Sequence, residues 1–161
     1  MTTPLLIRAA HPSDAALLVD LIRELAVVEG FPHPVTVTAD DLQASLFGPQ
    51  PAAHALVAQA DGEVAGFAVY YETFATTTGK RGLHLDDLFV RPAFQGRGYG
   101  KALLAHVAGI AELRGCARFE WWALNTNEPA LRFYQAVGAQ RMEELVVHRV
   151  QGSAIRDLAR S

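Results

Sequence analysis

The sequence predicts an α+β domain built on one mixed β-sheet, and three observations carry that prediction. Two β-rich runs, Ala55 to Ala60 and Val64 to Tyr71, flank Asp61-Gly62, a dipeptide suited to the φ > 0 geometry of a tight hairpin turn. The first pairing is therefore antiparallel. Amphipathic helical stripes stand before that hairpin and after the run Leu83 to Arg91, and a helix between two strands of one sheet demands a crossover. The 161 residues are 50% hydrophobic and 19% charged, which suits one globular core and excludes a disordered or fibrous chain.

Leu5-Leu6-Ile7 opens the chain as a short strand, and Ser13 suits the N-cap of a first helix. The stripe Leu17, Leu18, Leu21, Ile22 and Leu25 runs toward Glu29-Gly30, where glycine ends the helix. Phe31-Pro32-His33-Pro34 is a proline-stiffened loop, and Thr38 with Asp40 and Asp41 starts a second short helix through Leu46. After the hairpin, the strand Leu83 to Arg91 leads through Pro92 to Gly98 into a helix carrying Leu103, Leu104, Val107, Ala108 and Ala111, closed by Gly115. Arg118 to Ala123 reads as a strand, Asn127 to Val137 as a short helix, Glu144 to Val150 as a last strand, and the polar tail as frayed. With no internal repeat or linker, residues 1–161 form a single domain in this reading.

Fourteen Lys and Arg against seventeen Asp and Glu leave a net charge of −3, so no cationic field exists to hold a nucleic acid. The solitary Cys116 cannot form an intramolecular disulfide, and the six scattered His offer no metal-ligand spacing, so no metal is expected. No apolar run approaches the ~20 residues of a membrane helix, and Met1-Thr2-Thr3-Pro4 lacks the basic region of a signal peptide. The expectation is a cytoplasmic protein without membrane or nucleic-acid partners.

The strongest chemical signal is Gln95-Gly96-Arg97-Gly98-Tyr99-Gly100-Lys101, placed between a strand and an amphipathic helix. Small residues there let backbone N–H groups point into a concavity at the helix N-terminus, where the dipole favours an anion such as phosphate. A Walker loop would need Gly in place of Gln95 and Ser or Thr in place of Ala102, and a dinucleotide fingerprint would need Gly in place of Lys101. Both motifs fail. A plain turn needs fewer glycines than three at alternate positions flanked by Arg97 and Lys101.

These residues resemble the Gln/Arg-x-x-Gly-x-Gly/Ala signature of the GCN5-related N-acetyltransferases. Asp86-Asp87-Leu88-Phe89-Val90-Arg91-Pro92 looks like that family's central strand, and Asn127-x-Pro129-Ala130-x-x-Phe133-Tyr134-x-x-x-Gly138-Ala139 like its later helix. Glu24 to Glu29, Tyr70-Tyr71, Gly79-Lys80 and the strand at Asp86 are similar to the diamine (spermidine/spermine-type) and thialysine acetyltransferases. The resemblance implies a mixed central sheet of about six to seven strands with a splayed central pair. It also implies acetyl-coenzyme A as cosubstrate, held by Gln95 through Lys101, and a homodimer.

Acetyl transfer to an amine needs an uncharged nucleophile, a polarised carbonyl and a proton for the departing thiolate. A splayed strand exposes backbone N–H groups, so Leu88, Phe89 and Val90 are candidates for the pantetheine arm and thioester oxygen. Tyr134 lies one turn after Ala130, and the resemblance makes it the general acid beside the sulfur, with Asn127, Pro129 and Ala130 as further cofactor contacts. Asp86 and Glu29 are the leading acids for the amine, as catalytic or binding groups; strand alternation puts Asp86 on the face of Leu88 and Val90. Glu120 and Trp122 alternate onto one face of the next strand, where an acid and a ring suit an alkylammonium ion. Cys116 has no motif around it, so direct transfer in a ternary complex is expected instead of an acetyl-cysteine.

Ala75 and the run Thr76-Thr77-Thr78 depart from polyamine enzymes, as does Asp86 in place of a longer Glu, which makes a lysine analogue as good a candidate as a diamine. The alternatives are a protein lysine or N-terminal acetyltransferase and a non-catalytic coenzyme A-binding module.

Overall fold

The computed structural model describes residues 4–161. These form two compact units, one ending at Trp122 and the other running from Ala123 to Ser161.

The larger unit is an open five-stranded mixed sheet with its strands in chain order: β1 (Leu6–Ala9), β2 (His54–Ala60), β3 (Glu63–Ala75), β4 (Lys80–Val90) and β5 (Arg118–Trp121). The first four pair antiparallel and β5 joins β4 in parallel, as a crossover through a helix requires. Asp61-Gly62 makes the β2–β3 turn with φ of 54° and 79°. Helices α1 (Ala15–Val28) and α2 (Ala39–Phe47) lie between β1 and β2, and α3 (Tyr99–Leu113) lies between β4 and β5.

Helix α1 begins one residue later than a Ser13 cap would place it. Ser13 sits inside a 3₁₀ turn, Pro12–Asp14, and Asp14 occupies the N-cap position of α1. The Asp14 carboxylate accepts from Arg8 at 2.7 and 3.1 Å and from the His11 N–H at 2.7 Å, bonds that a serine hydroxyl could not all replace. Thr38 caps α2 as the sequence indicates, accepting from the Asp41 N–H at 3.2 Å.

One face of the sheet packs on α1, where Leu18, Leu21 and Leu25 meet Ala55, Val57, Phe67 and Phe89. Leu21, Val57 and Phe67 are fully buried, so truncating Leu21 to Ala would cost roughly 2–5 kcal/mol. Helix α3 packs on the sheet through β3 and β4, burying Leu103, Leu104 and Val107. A bidentate ion pair joins α1 to the residue after β4: Arg91 donates to Glu24 at 2.9 and 2.7 Å and to the Val64 carbonyl at 3.0 Å.

The smaller unit holds α4 (Glu128–Ala136) and α5 (Ser153–Ala159) and, among the described residues, no strand. The sheet therefore has five strands, not six to seven. Residues 144–150 do not form the expected last strand: Leu145, Val146, Val147 and Val150 are exposed and meet no pairing strand, and β-propensity without a partner does not make a ladder. The tail, expected to fray, forms α5 after Gly152 at φ 61°. Strand β5 ends at Trp121, short of Ala123, because its ladder with β4 stops there. No helix among the described residues is long and apolar enough to cross a membrane.

Candidate active site

Strand β4 carries most of the chemistry of the larger unit. Its register against β3 runs Val69↔Asp87 and then Tyr70↔Leu85, so Asp86 is a bulged residue with no direct partner. A bulge resets alternation. Asp87 and Phe89 therefore face α1 with Val69 and Phe67, while beyond the bulge His84 pairs with Tyr71 and Leu85 with Tyr70. The alternation that groups Asp86 with Leu88 and Val90 fails at this point. The Asp86 charge is felt by Asp87 and Tyr71, both on the α1 side.

Asp87 is the acid that reading the sequence passed over. Its carboxyl is pushed up to about 7, first by burial and then by the charges of Asp86 and Glu29. Glu29 is the C-cap residue of α1, exposed at the surface, yet its carboxyl also stands above the usual value because surrounding chain partly desolvates it. Three carboxylates thus converge where α1 ends over β4. The signal for Asp87 was present in the sequence, since one of two consecutive acids in an apolar strand must face the buried side.

Below the acids lies a wall of rings. Tyr71, His84 and Glu120 are in register across β3, β4 and β5. The Tyr71 and His84 rings stack at 5.0 Å, and Trp122 meets His84 edge-on at 4.9 Å. Burial, then the Asp86 charge, pushes the Tyr71 phenol up. One row further on, Thr73, Gly82 and Arg118 are in register, and a Cβ on Gly82 would lie 2.5 Å from Thr73 Oγ1 and 3.2 Å from Arg118 Cγ. A side chain there would displace Thr73 Oγ1 and crowd the Arg118 stem. Arg118 Nε stands 3.5 Å from Glu120 Oε2.

At its other end β4 feeds the glycine loop. The β4–β5 ladder stops at Leu85↔Trp121, so on that side Asp86 through Val90, including Leu88 and Phe89, face no strand among the described residues. Gly96 and Gly98 flank Arg97 with φ of 77° and 81°, and an added Cβ on either meets nothing within 4 Å, so backbone conformation rather than space selects glycine. Gly98 is the N-cap of α3 and offers no side-chain acceptor to the first-turn N–H groups of Tyr99, Gly100 and Lys101. This open, donor-rich cradle fits a pyrophosphate. Two of the side chains are otherwise engaged: Gln95 Nε2 donates to the Val90 carbonyl at 3.0 Å and Arg97 to Asp61 at 2.9 Å.

In the smaller unit, Asn127 caps α4 by accepting from the Ala130 N–H at 3.4 Å, with Pro129 in the first turn. Tyr134 follows Ala130 by four residues, hence on the same helix face, and its ring lies 5.4 Å from Phe133. No group of three His, Cys, Asp or Glu among the described residues is placed to hold a metal.

The model of the "Acetyltransferase (GNAT) family" matches residues 19–139. The chain is 37% identical to the thialysine N-epsilon-acetyltransferase of Mus musculus over 95% of this chain and 96% of that protein. It is 27% identical to the L-ornithine N5-acetyltransferase NATA1 of Arabidopsis thaliana, over 93% and 86% of the two chains. Among solved structures, an integron cassette protein from the V.cholerae mobile metagenome superposes with a TM-score of 0.80 at 28% identity, covering 98% of each chain. With the family's model matching from within α1 to the residue after Gly138, and a relative this similar over nearly its whole length, the chain belongs to the acetyltransferase (GNAT) family.

Proposed function

We propose that this N-acetyltransferase moves an acetyl group directly to the primary amine of a diamine or lysine-analogue substrate. One observation carries the reading: a single strand, β4, runs from a cluster of three carboxylates to the glycine cradle, so amine and acyl donor would meet along it. Members of this family use acetyl-coenzyme A, which when bound supplies the thioester acyl group.

The chain's own residues supply the rest. The amides of Gly96 through Lys101 bind the pyrophosphate, and those of Leu88, Phe89 and Val90 hold the arm and polarise the thioester carbonyl. Asp86 and Glu29 attract the ammonium form. Asp87, whose carboxyl is held near neutral pH, accepts the amine proton, directly or through water. Tyr134 returns a proton to the departing sulfur, a role supported by its place in the Asn127 to Ala139 motif. Glu120 and Trp122 bind the remote end of the substrate, and Asn127, Pro129 and Ala130 line the cofactor side.

The exposed apolar run at Leu145, Val146, Val147 and Val150 supports a homodimer in which a second copy covers it, and the single Cys116 supports a reducing cytoplasm. Thiol release from acetyl-coenzyme A across diamines, polyamines, diamino acids and a lysine peptide tests the reading. Turnover with a small amine, lost in Asp87→Asn, is the expected result. Turnover with the peptide alone would replace it by a protein acetyltransferase.

A further inference from the structure

The aromatic wall has acids at one end and an opposite-charge pair at the other. Three carboxylates, Glu29, Asp86 and Asp87, gather at the α1 end. At the far end Arg118 and Glu120 face each other at 3.5 Å on β5, both side chains close to half exposed. Between them lie Tyr71, His84 and Trp122, in ring contact at 5.0 and 4.9 Å. Gly82 leaves room beside the arginine, since a Cβ there would clash with Thr73 Oγ1 at 2.5 Å and crowd Arg118 Cγ at 3.2 Å.

A site for a plain diamine would be acidic at both ends. Here the far end is a neutral pair of opposite charges, and its complement is another neutral pair of opposite charges. We propose that Arg118 and Glu120 read the α-carboxylate and α-ammonium of a diamino acid, whose side chain lies along Tyr71, His84 and Trp122 and whose terminal amine reaches Asp86 and Asp87. The assignment rests on the acetyltransferase reading above and narrows its substrate class.

The dimensions agree. Glu120 and Arg118 share rows with Tyr71 and Thr73, two and four residues along β3 from Val69, the partner of Asp87, so the pair is centred roughly 10 Å from Asp87 at the strand rise of ~3.3 Å per residue. An extended side chain of four or five atoms with a hydrogen bond of ~2.9 Å at each end covers that span. Exposed ion pairs of this kind contribute little to folding, so the Arg118–Glu120 contact opens at small cost when a zwitterion exchanges partners with it. The guanidinium offers a carboxylate two parallel donors, which makes Arg118 the discriminating element, and it repels the second ammonium of a diamine.

The test compares kcat/KM for thialysine, lysine and ornithine with that for cadaverine and putrescine, the same chains without the carboxylate, in wild type, Arg118→Gln and Glu120→Gln. Lysine methyl ester serves as a probe with its carboxylate neutralised. Arg118→Gln is expected to lower kcat/KM for the diamino acids by about tenfold or more, mainly through KM, while cadaverine turnover holds or rises. Wild type is expected to disfavour the methyl ester by a similar factor, and Arg118→Gln to lose that preference. Glu120→Gln is expected to weaken the diamino acids as well. Equal losses on diamines and diamino acids, no change on either, or equal use of lysine and its ester would overturn the assignment while leaving the acetyltransferase reading intact. Absence of thiol release with every acceptor in wild type would overturn that reading and this one together.

Discussion

Arg97 Nη1 donates to Asp61 Oδ2 at 2.9 Å, which ties the cation in the middle of the glycine loop to the turn between β2 and β3. The same guanidinium lies 5.2 Å from the Phe94 ring centroid, and its bond to Tyr99, then that to Asp61, holds it firmly protonated. The loop's only arginine thus has a carboxylate partner beside the phosphate cradle. Asp61 competes with any phosphate for it. Asp61→Asn is expected to tighten acetyl-coenzyme A binding by up to about fivefold in a calorimetric titration, with no gain when Arg97→Ala is added. Unchanged or weaker binding would show that Arg97 keeps Asp61 in the complex.

Asp87 makes folding depend on pH. Its folded-state value of about 7 lies above the unfolded value of 3.8, so its stabilising contribution is complete below about pH 4 and is lost as pH rises through 7. Asp87→Asn is expected to be the more stable protein at pH 8, by on the order of a few kcal/mol, and to show a flatter urea midpoint between pH 5 and 8. Parallel pH curves for the two proteins would refute the burial of this charge.

Catalysis carries the opposite sign. A base must be deprotonated to accept the amine proton, so kcat/KM for the amine should rise with pH through about 7 in wild type. That limb should vanish in Asp87→Asn together with about 10²–10⁴-fold of kcat, while acetyl-coenzyme A affinity stays within twofold. Tyr134→Phe should lower kcat without moving that limb.

The glycines of the loop separate by cause. Gly98→Ala forces a side chain into φ 81° with open space around it, so the loss should be conformational, roughly 1–2 kcal/mol of stability. Gly100→Ala places its Cβ at an ordinary 3.9 Å from Val90 Cγ2, so the melting temperature should hold. A weaker acetyl-coenzyme A affinity in Gly100→Ala, with folding intact, would mark the backbone approach of the phosphates at that residue.

Much of this was legible in the residues. Asp61-Gly62 announced its hairpin, Thr38 its helix, and the glycines at 96, 98 and 100 their cradle, because each is a local requirement met by few residue types. What stayed hidden was relational. Leu145, Val146 and Val147 have strand propensity, but a strand also needs a partner, and no sequence window contains that fact. The bulge at Asp86 escaped notice because an alternating pattern conceals a single added residue, and so Asp87, with its enclosed carboxyl, went unassigned. Trp122 and Glu120 were found by alternation; their neighbours Tyr71, His84 and Arg118 needed the register.

The bulge also means that β4 is written in two phases. On one side of Asp86 the residues in step with Leu85 belong to the face of Tyr70, and on the other the residues in step with Asp87 belong to α1. Removing that single residue would leave both halves where they are, Val69 still opposite Asp87 and Tyr70 still opposite Leu85, and would restore one regular alternation with His84 still on the ring wall. What the added residue contributes is therefore a second acid, set beside Asp87 at one level of the strand without disturbing the faces on either side of it. A strand that bulges out an extra residue gains a side chain and keeps its pairing, whereas the residues 76–79 between β3 and β4 can absorb insertions without touching either face.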